Sequence, residues 1–269
     1  MFFNDVKKRR SVRTFDGKGV SEEVIDDLKK YVGSIVNPYD IPVEFTFLKK
    51  DENGLSSPVL SGEKLYVTGK VKVVDNADVA FGYSFEEFLM YAVSKDLGTV
   101  WIGGTMPREK FEVASNLKDD EIMPCMSPLG YTAEKMGVKE VLMRKGVKAD
   151  TRYEFSELFF ANSFDEPLTE EKASKLGIKT ALEAVRLAPS AVNKQPWRVV
   201  VTENAAHFYE KKDKGYDNGT YDLQKVDLGI ALYHFENQCR EENKQVTFKI
   251  AEPGIELPDK TEYIASYIW

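Results

Sequence analysis

Histidine and cysteine are nearly missing from this sequence, with two of each in 269 residues. Cys125 and Cys239 form no CxxC pair and show no metal-ligand spacing. His207 lies in an apolar, strand-like stretch and His234 on a helix, so structural roles are expected, and no Cys/His set fits a zinc centre. There is no GxSxG elbow and no P-loop, which removes the common serine-hydrolase and phosphate-cradling readings. No apolar run approaches the ~18 residues needed to span a bilayer. Positive charge is in the minority: 37 Lys and Arg stand against 44 Asp and Glu, a net charge of −7. Nucleic-acid binding needs a basic face, so that balance argues against it. Met1-Phe2-Phe3 is followed within a few residues by charge, without the apolar core of a signal peptide. The expectation is a reduced, cytoplasmic protein with no membrane or nucleic-acid partner.

What is present is ample core material: 42% hydrophobic and 12% aromatic residues. The length allows one large domain or two small ones. The chain also resembles itself. Phe15-Asp16 precedes Val20-Ser21-Glu22-Glu23, and Phe164-Asp165 precedes Leu168-Thr169-Glu170-Glu171. Ser21 and Thr169 read as helix N-caps before amphipathic runs. The first helix would bury Val24, Ile25, Leu28 and Val32, and the second would run on through Leu182, Ala184, Val185 and Leu187. Pro42–Leu48 and Pro196–Val201 read as strands. Asp78–Glu86 and Asp227–Glu236 read as buried helices, each opened by its aspartate. Val138 to Met143 reads as a further strand. Three pairings in the same order suggest a duplication. Helix, strand, helix in each half gives an α+β class rather than strict βαβ alternation.

Two separated stretches carry the chemistry. Arg9-Arg10-Ser11-Val12-Arg13-Thr14-Phe15 concentrates guanidinium groups, which offer planar bidentate donors to phosphate. By sequence chemistry alone a solvated helix end is the preferred reading. Ala188-Pro189-Ser190-Ala191-Val192-Asn193-Lys194-Gln195-Pro196-Trp197 follows a helical run and precedes a strand. Its Ser and Asn can bond backbone or ligand, so a plain loop is its other reading. Leu97-Gly98-Thr99-Val100-Trp101-Ile102-Gly103-Gly104 is a third candidate, where glycines allow backbone to approach a flat ligand.

Together these stretches resemble the nitroreductase family of flavin mononucleotide (FMN) enzymes. The resemblance covers nearly the whole chain. It implies a mixed sheet flanked by helices, and in that family a dimer whose flavin cleft is lined by both subunits. Here both motifs sit on one chain, so the resemblance implies a fused pair: an amino-terminal half (1–150) and a carboxy-terminal half (151–269) around one flavin site. The implied cofactor residues are Arg9, Arg10, Ser11 and Arg13 at the phosphate and ribityl chain, with Arg144 as a later phosphate contact beside Lys145. Ile102, Gly103 and Gly104 would lie by the ring's reactive edge. Pro189, Ser190 and Asn193 would contact the flavin from the other half, with Gln195 bracing their loop. Pro128-Leu129-Gly130-Tyr131 resembles the family's strand end before a variable loop. The symmetry mate looks lost. The positions matching Arg9–Arg13 in the second half are Leu158-Phe159-Phe160-Ala161-Asn162, and Gly33-Ser34-Ile35-Val36-Asn37-Pro38 is a damaged copy of the Pro-Ser-x-x-Asn loop.

By resemblance, FMN would take hydride from NADH or NADPH and reduce a nitroaromatic, a quinone or another small acceptor. No side chain need act as acid or base, so none is assigned as catalytic, and no metal is expected. The alternatives are a flavin-binding protein without robust turnover and a structural remnant. A monomer acting as a pseudo-dimer is expected, with further self-association open.

Overall fold

The structure is a computed structural model that describes residues 2–269. The chain divides into two compact units. One spans 8–149, and the other combines 150–269 with residues 2–7.

The first unit is built on the buried strand Leu65–Lys72. It pairs antiparallel with Glu44–Lys49 on one side, and with Met126–Leu129 and the short Glu121–Ile122 on the other. Helix Ala77–Ser94 is apolar nearly all round, as a helix at the centre of a unit must be. Its Phe81, Phe85 and Phe88 meet Phe45, Phe47 and Trp101 in edge-on, tilted and stacked contacts. Each such ring, once buried, contributes about 1.5–3 kcal/mol by leaving water.

The second unit holds a five-stranded sheet in the order Phe159–Ala161, Trp197–Val201, Ala205–Lys211, Thr261–Ile268, Thr247–Lys249. The first pair is parallel and the rest antiparallel, so the sheet is mixed. Helix Leu223–Glu241 is buried along most of its length, with Phe235 edge-on to Phe208 of the sheet. Phe2, from helix Phe2–Lys8, sets its ring 5.6 Å from Tyr233 and 5.4 Å from His234 of that long helix. Both units are α+β, with sheets flanked by helices.

Local signals held where they were chemical. Ser21 accepts from Val24 N–H at 3.3 Å and Thr169 from Lys172 N–H at 3.2 Å, so both are caps. Ile25 and Leu28 of the first capped helix are buried, while Val24 and Val32 are only partly so. Both proline-led strands form, as Glu44–Lys49 and Trp197–Val201.

Three expectations are corrected. The helix after Thr169 breaks into Glu170–Lys175 and Lys179–Leu187. Gly177 between them has φ +67°, a left-handed conformation that ends a helix, and Lys244 Nζ donates to the exposed end at Leu176 O. Asp227 does not open its helix. Asp222 caps it through Gln224 N–H, and Asp227 is buried a turn further in. Val138–Gly146 is a helix, not a strand. Its valines stay exposed while Glu140 is buried, so the apolar run was not a core signal.

Candidate flavin site

Arg9 to Phe15 leaves the first helix as an extended segment and docks onto the first unit. Val12 N–H donates to Thr99 O, Phe15 N–H to Ser61 O and Asp16 N–H to Tyr131 O. Gly98 permits the approach, since a Cβ there would lie 2.9 Å from both Val12 Cγ1 and Thr132 Oγ1.

Glu140 fixes the arginines, and sequence reading missed it. Its carboxylate is buried, forms an ion pair with Arg10 and accepts Arg13 N–H at 3.0 Å. Burial pushes the Glu140 carboxyl up. Hydrogen bonds from Thr14, Arg13 N–H and Arg10 outweigh that and hold it below its ordinary range. Thr14 Oγ1 also accepts Gly137 N–H at 2.9 Å, joining the segment to the start of helix Val138–Gly146. That helix carries Glu140 and Arg144 at i and i+4, hence on one face. The only sequence signal for Glu140 was this spacing to Arg144, visible once the segment is read as a helix.

The arginines divide by role. Arg10 is held by Glu140. Arg9 and Arg13 keep buried donors unspent: Arg9 Nε, Arg13 Nε and Arg13 Nη1 have no hydrogen-bond partner among the described residues. Burial lowers the pKa of both guanidinium groups, and the positive charge of Arg144 lowers it further. Glu86 opposes this at Arg9, and Glu140 at Arg13. Two partly buried cations near a third are costly unless an anion joins them. A phosphate dianion supplies the missing charge and acceptors, so these residues fit the FMN phosphate. Ser11 sits between them, paired through its backbone with Thr99. Lys8, Arg9 and Arg10 also border a cleft of about 210 Å³ with Asp96, Leu97 and Gly98.

Ile102 is buried and exchanges both backbone hydrogen bonds with Met126 at 2.9 Å. Its N–H is therefore spent and is not open to a ligand. Gly103 and Gly104 donate no backbone hydrogen bond to any described residue, and nothing lies within 4 Å of where a Cβ on Gly104 would be. Trp101 Nε1 donates to the buried Glu86 at 2.7 Å.

In the second unit the Pro189–Trp197 loop is strained and braced. Val192 has φ +52°, Asn193 +57° and Gln195 +51°. For a β-branched valine this is an outlier of the kind that clusters at functional sites. Asp227 accepts Ala191 N–H through both oxygens, at 3.0 and 3.1 Å. Ser190 Oγ accepts Gln195 N–H at 2.8 Å, and the buried Gln195 bonds Tyr153 N–H and Asn193 O. Arg152 donates to Asn193 Oδ1 at 3.2 Å and Leu187 O at 3.2 Å. Asn37, in the loop expected to match this one, turns its side chain on its own loop, accepting from Tyr39 N–H and donating to Ile41 O and Ser84. Of the positions expected to match the arginine segment, Leu158 to Asn162, the middle three form strand Phe159–Ala161, and none is basic.

The histidines are tied into structure. His207 Nδ1 shares a 2.7 Å hydrogen bond with Ser266, and His234 Nδ1 lies 3.0 Å from Ala184 O. Among the described residues no group of three His, Cys, Asp or Glu is placed to hold a metal, and no helix is long and apolar enough to cross a membrane.

A family model described as "Putative TM nitroreductase" matches residues 2–239. A solved structure from Thermotoga maritima MSB8, described as a "putative nitroreductase", is 20% identical. The match covers 99% of this chain and 93% of that one, with a TM-score of 0.64, which shows a common fold. Shorter proteins match about half of this chain. An "FMN-dependent nitroreductase" of Clostridium difficile R20291 is 17% identical over 52% of this chain and 94% of its own, with a TM-score of 0.42. A "nitroreductase family protein" of Clostridium novyi NT is 14% identical over 50% and 86%, with a TM-score of 0.43. No curated protein matches the chain. The family match spans most of the sequence and includes both motifs, and on that basis the chain belongs to the nitroreductase family.

Proposed function

We propose that this protein is an FMN-dependent oxidoreductase that takes hydride from NADH or NADPH and delivers it to a small acceptor such as a nitroaromatic or a quinone. The observation that carries the reading is the set of buried, unpartnered guanidinium donors on Arg9 and Arg13, beside Arg144, in a member of the nitroreductase family. Those groups, with Ser11, would hold the phosphate. Arg10 would act through Glu140, keeping the segment in place. Gly103 and Gly104 would offer N–H donors to the ring. Pro189, Ser190 and Asn193 are proposed as further flavin contacts on the family resemblance. Bound flavin supplies the hydride chemistry, and the chain's share is to bind, orient and tune it.

The purified protein is expected to be yellow. Released flavin should be about one FMN per chain, because only one set of arginines survives. Anaerobic mixing with NADH and with NADPH should bleach the visible absorption of the oxidised flavin. A colourless protein that takes up no added FMN sinks the proposal. Flavin that neither nucleotide reduces leaves the binding-protein alternative in its place.

A further inference from the structure

We infer that Arg108 is a positioning residue that sets the donor strength of the Gly103–Gly104 turn and, through it, the electron affinity of the bound flavin. This rests on the proposed reading that the turn faces the ring.

Arg108 opens helix Arg108–Ala114 directly after Pro107. A cation is disfavoured at that end of a helix, because the backbone dipole is positive there. Its side chain instead folds back over three backbone carbonyls. Nη2 donates to Gly103 O at 2.8 Å and to Pro124 O at 3.0 Å, and Nη1 donates to Met123 O at 2.6 Å. Glu112 lies 3.6 Å away, one helical turn on. The guanidinium thus joins the Gly103 turn to the segment that leads into strand Met126–Leu129.

The Gly103–Gly104 peptide is trans, since no peptide bond among the described residues is cis. In a trans peptide the carbonyl and the next N–H point in opposite directions. With Gly103 O held by Arg108, Gly104 N–H must face away from Arg108. Gly104 is itself exposed and donates to no described backbone group. A charge-assisted bond to the carbonyl fixes that direction. It also polarises the amide, so its N–H becomes a stronger donor. Electrons added to a flavin ring leave negative charge on it. A preorganised donor with a cation behind it favours that charged form. Arg108 touches no ring atom in this scheme and acts through one peptide group.

The test compares the FMN-loaded wild type with Arg108→Gln and Arg108→Lys, and with Glu112→Gln as a control that leaves the carbonyl contacts alone. Three quantities are read: FMN affinity, the midpoint potential of bound flavin, and the dissociation constant of its sulfite adduct, which tracks how electron-poor the ring is. Arg108→Gln should shift the potential to a more negative value and weaken the sulfite adduct several-fold. FMN affinity should change little, because the phosphate grip is untouched. Arg108→Lys, which keeps charge but loses the fork, should fall between, and Glu112→Gln, which removes a carboxylate beside the cation, should not lower the potential below the wild type. A brace that is only structural would move thermal stability and leave potential and sulfite affinity where they were, and that result overturns the inference. Should Arg108→Gln fail to fold, Arg108→Lys decides by the same two readings. A wild type that binds no FMN removes the parent reading and this one with it, whereas FMN bound with unchanged potentials removes this one alone.

Discussion

At the scale of single residues, buried charge identifies the working groups. Arg13 keeps two buried donors without partners, while the equally basic Arg198 spends Nη1 on Gln195 O and Trp197 O and lies over the Tyr153 ring. Arg13→Ala is therefore expected to weaken FMN binding by about ten- to hundredfold, the ~1.5–3 kcal/mol of a charge-assisted contact. Arg198→Ala should leave FMN affinity nearly unchanged. Flavin-fluorescence titration checks both, and equal affinities would make the arginine cluster a mere surface feature. Glu210 carries a different message. It is fully buried opposite Trp197, and neither carboxylate oxygen has a partner among the described residues. Burial, aided by Asp222, pushes its pKa up to about 8 from an ordinary 4.5. Between those values the unfolded chain releases this proton and the folded chain keeps it. The folded state then binds more protons, so stability falls as pH rises through that window. Glu210→Gln should flatten that decline, raising stability at pH 8 while changing it little below the ordinary carboxyl value. Urea denaturation at both pH values measures it.

At the scale of elements, the strained Pro189–Trp197 loop and the misread helix Val138–Gly146 make the same point. Val192 is 59% exposed, so its side chain adds little burial to offset its left-handed backbone. Asparagine tolerates that region far better. Val192→Asn should therefore stabilise the protein by about 1 kcal/mol, read as a higher melting temperature. An unchanged or lower melting temperature would mean that the contacts of Val192 matter more than its backbone. Before folding, nothing marked this strain, because a valine flanked by Ala and Asn fits many loop conformations. The loop is held in this conformation by Asp227, Tyr153 and Arg152, none of which is a neighbour in sequence. Helix Val138–Gly146 was obscured for a related reason. Val138 and Val141 carry strand propensity, yet both are exposed, as is Leu142, and they bury no face. The helix is held by the Thr14–Gly137 bond and by Glu140 reaching Arg10 and Arg13. Glu140→Gln would leave Arg10 without its charge partner and should loosen the arginine segment. FMN affinity should drop while the second unit's stability stays put, which proteolysis of the apo and FMN-loaded protein can follow.

At the scale of the whole molecule, the unit that contains 150–269 also takes residues 2–7. Phe2 is buried against Tyr233 and His234. Phe2→Ala should cost about 3–5 kcal/mol, as for other buried phenylalanines, and destabilise the helix Leu223–Glu241 region. Hydrogen exchange resolved along the chain would show it, and unchanged protection in residues 223–241 would remove the claim. A fragment cut at 151 lacks this helix, so restoring flavin binding by mixing 1–150 with 151–269 is a demanding test of the fused-pair proposal. Sedimentation of the FMN-bound chain tests it more directly, because activity found only in a dimeric species would show that one chain is not the functional unit.

The sequence by itself determined what short-range chemistry can specify. Ser21 and Thr169 each had to cap a helix, because each hydroxyl meets an N–H three residues on. The β-branched runs after Pro42 and Pro196 had to extend, and the ten-residue Ala188–Trp197 string and the arginine motif pointed to the family. Tertiary structure decided what depends on residues brought together from afar. Glu140 lies 127 residues from the backbone N–H of Arg13 that it binds, and Asp227 lies 36 from Ala191. Folding sorted the arginines into one held by Glu140 and two with open donors. It spent the Ile102 N–H on Met126, and it turned Arg108 back onto Gly103. Local propensity cannot encode such choices, because each is made by burial. A charge or amide removed from water must find its partner wherever the chain happens to bring one.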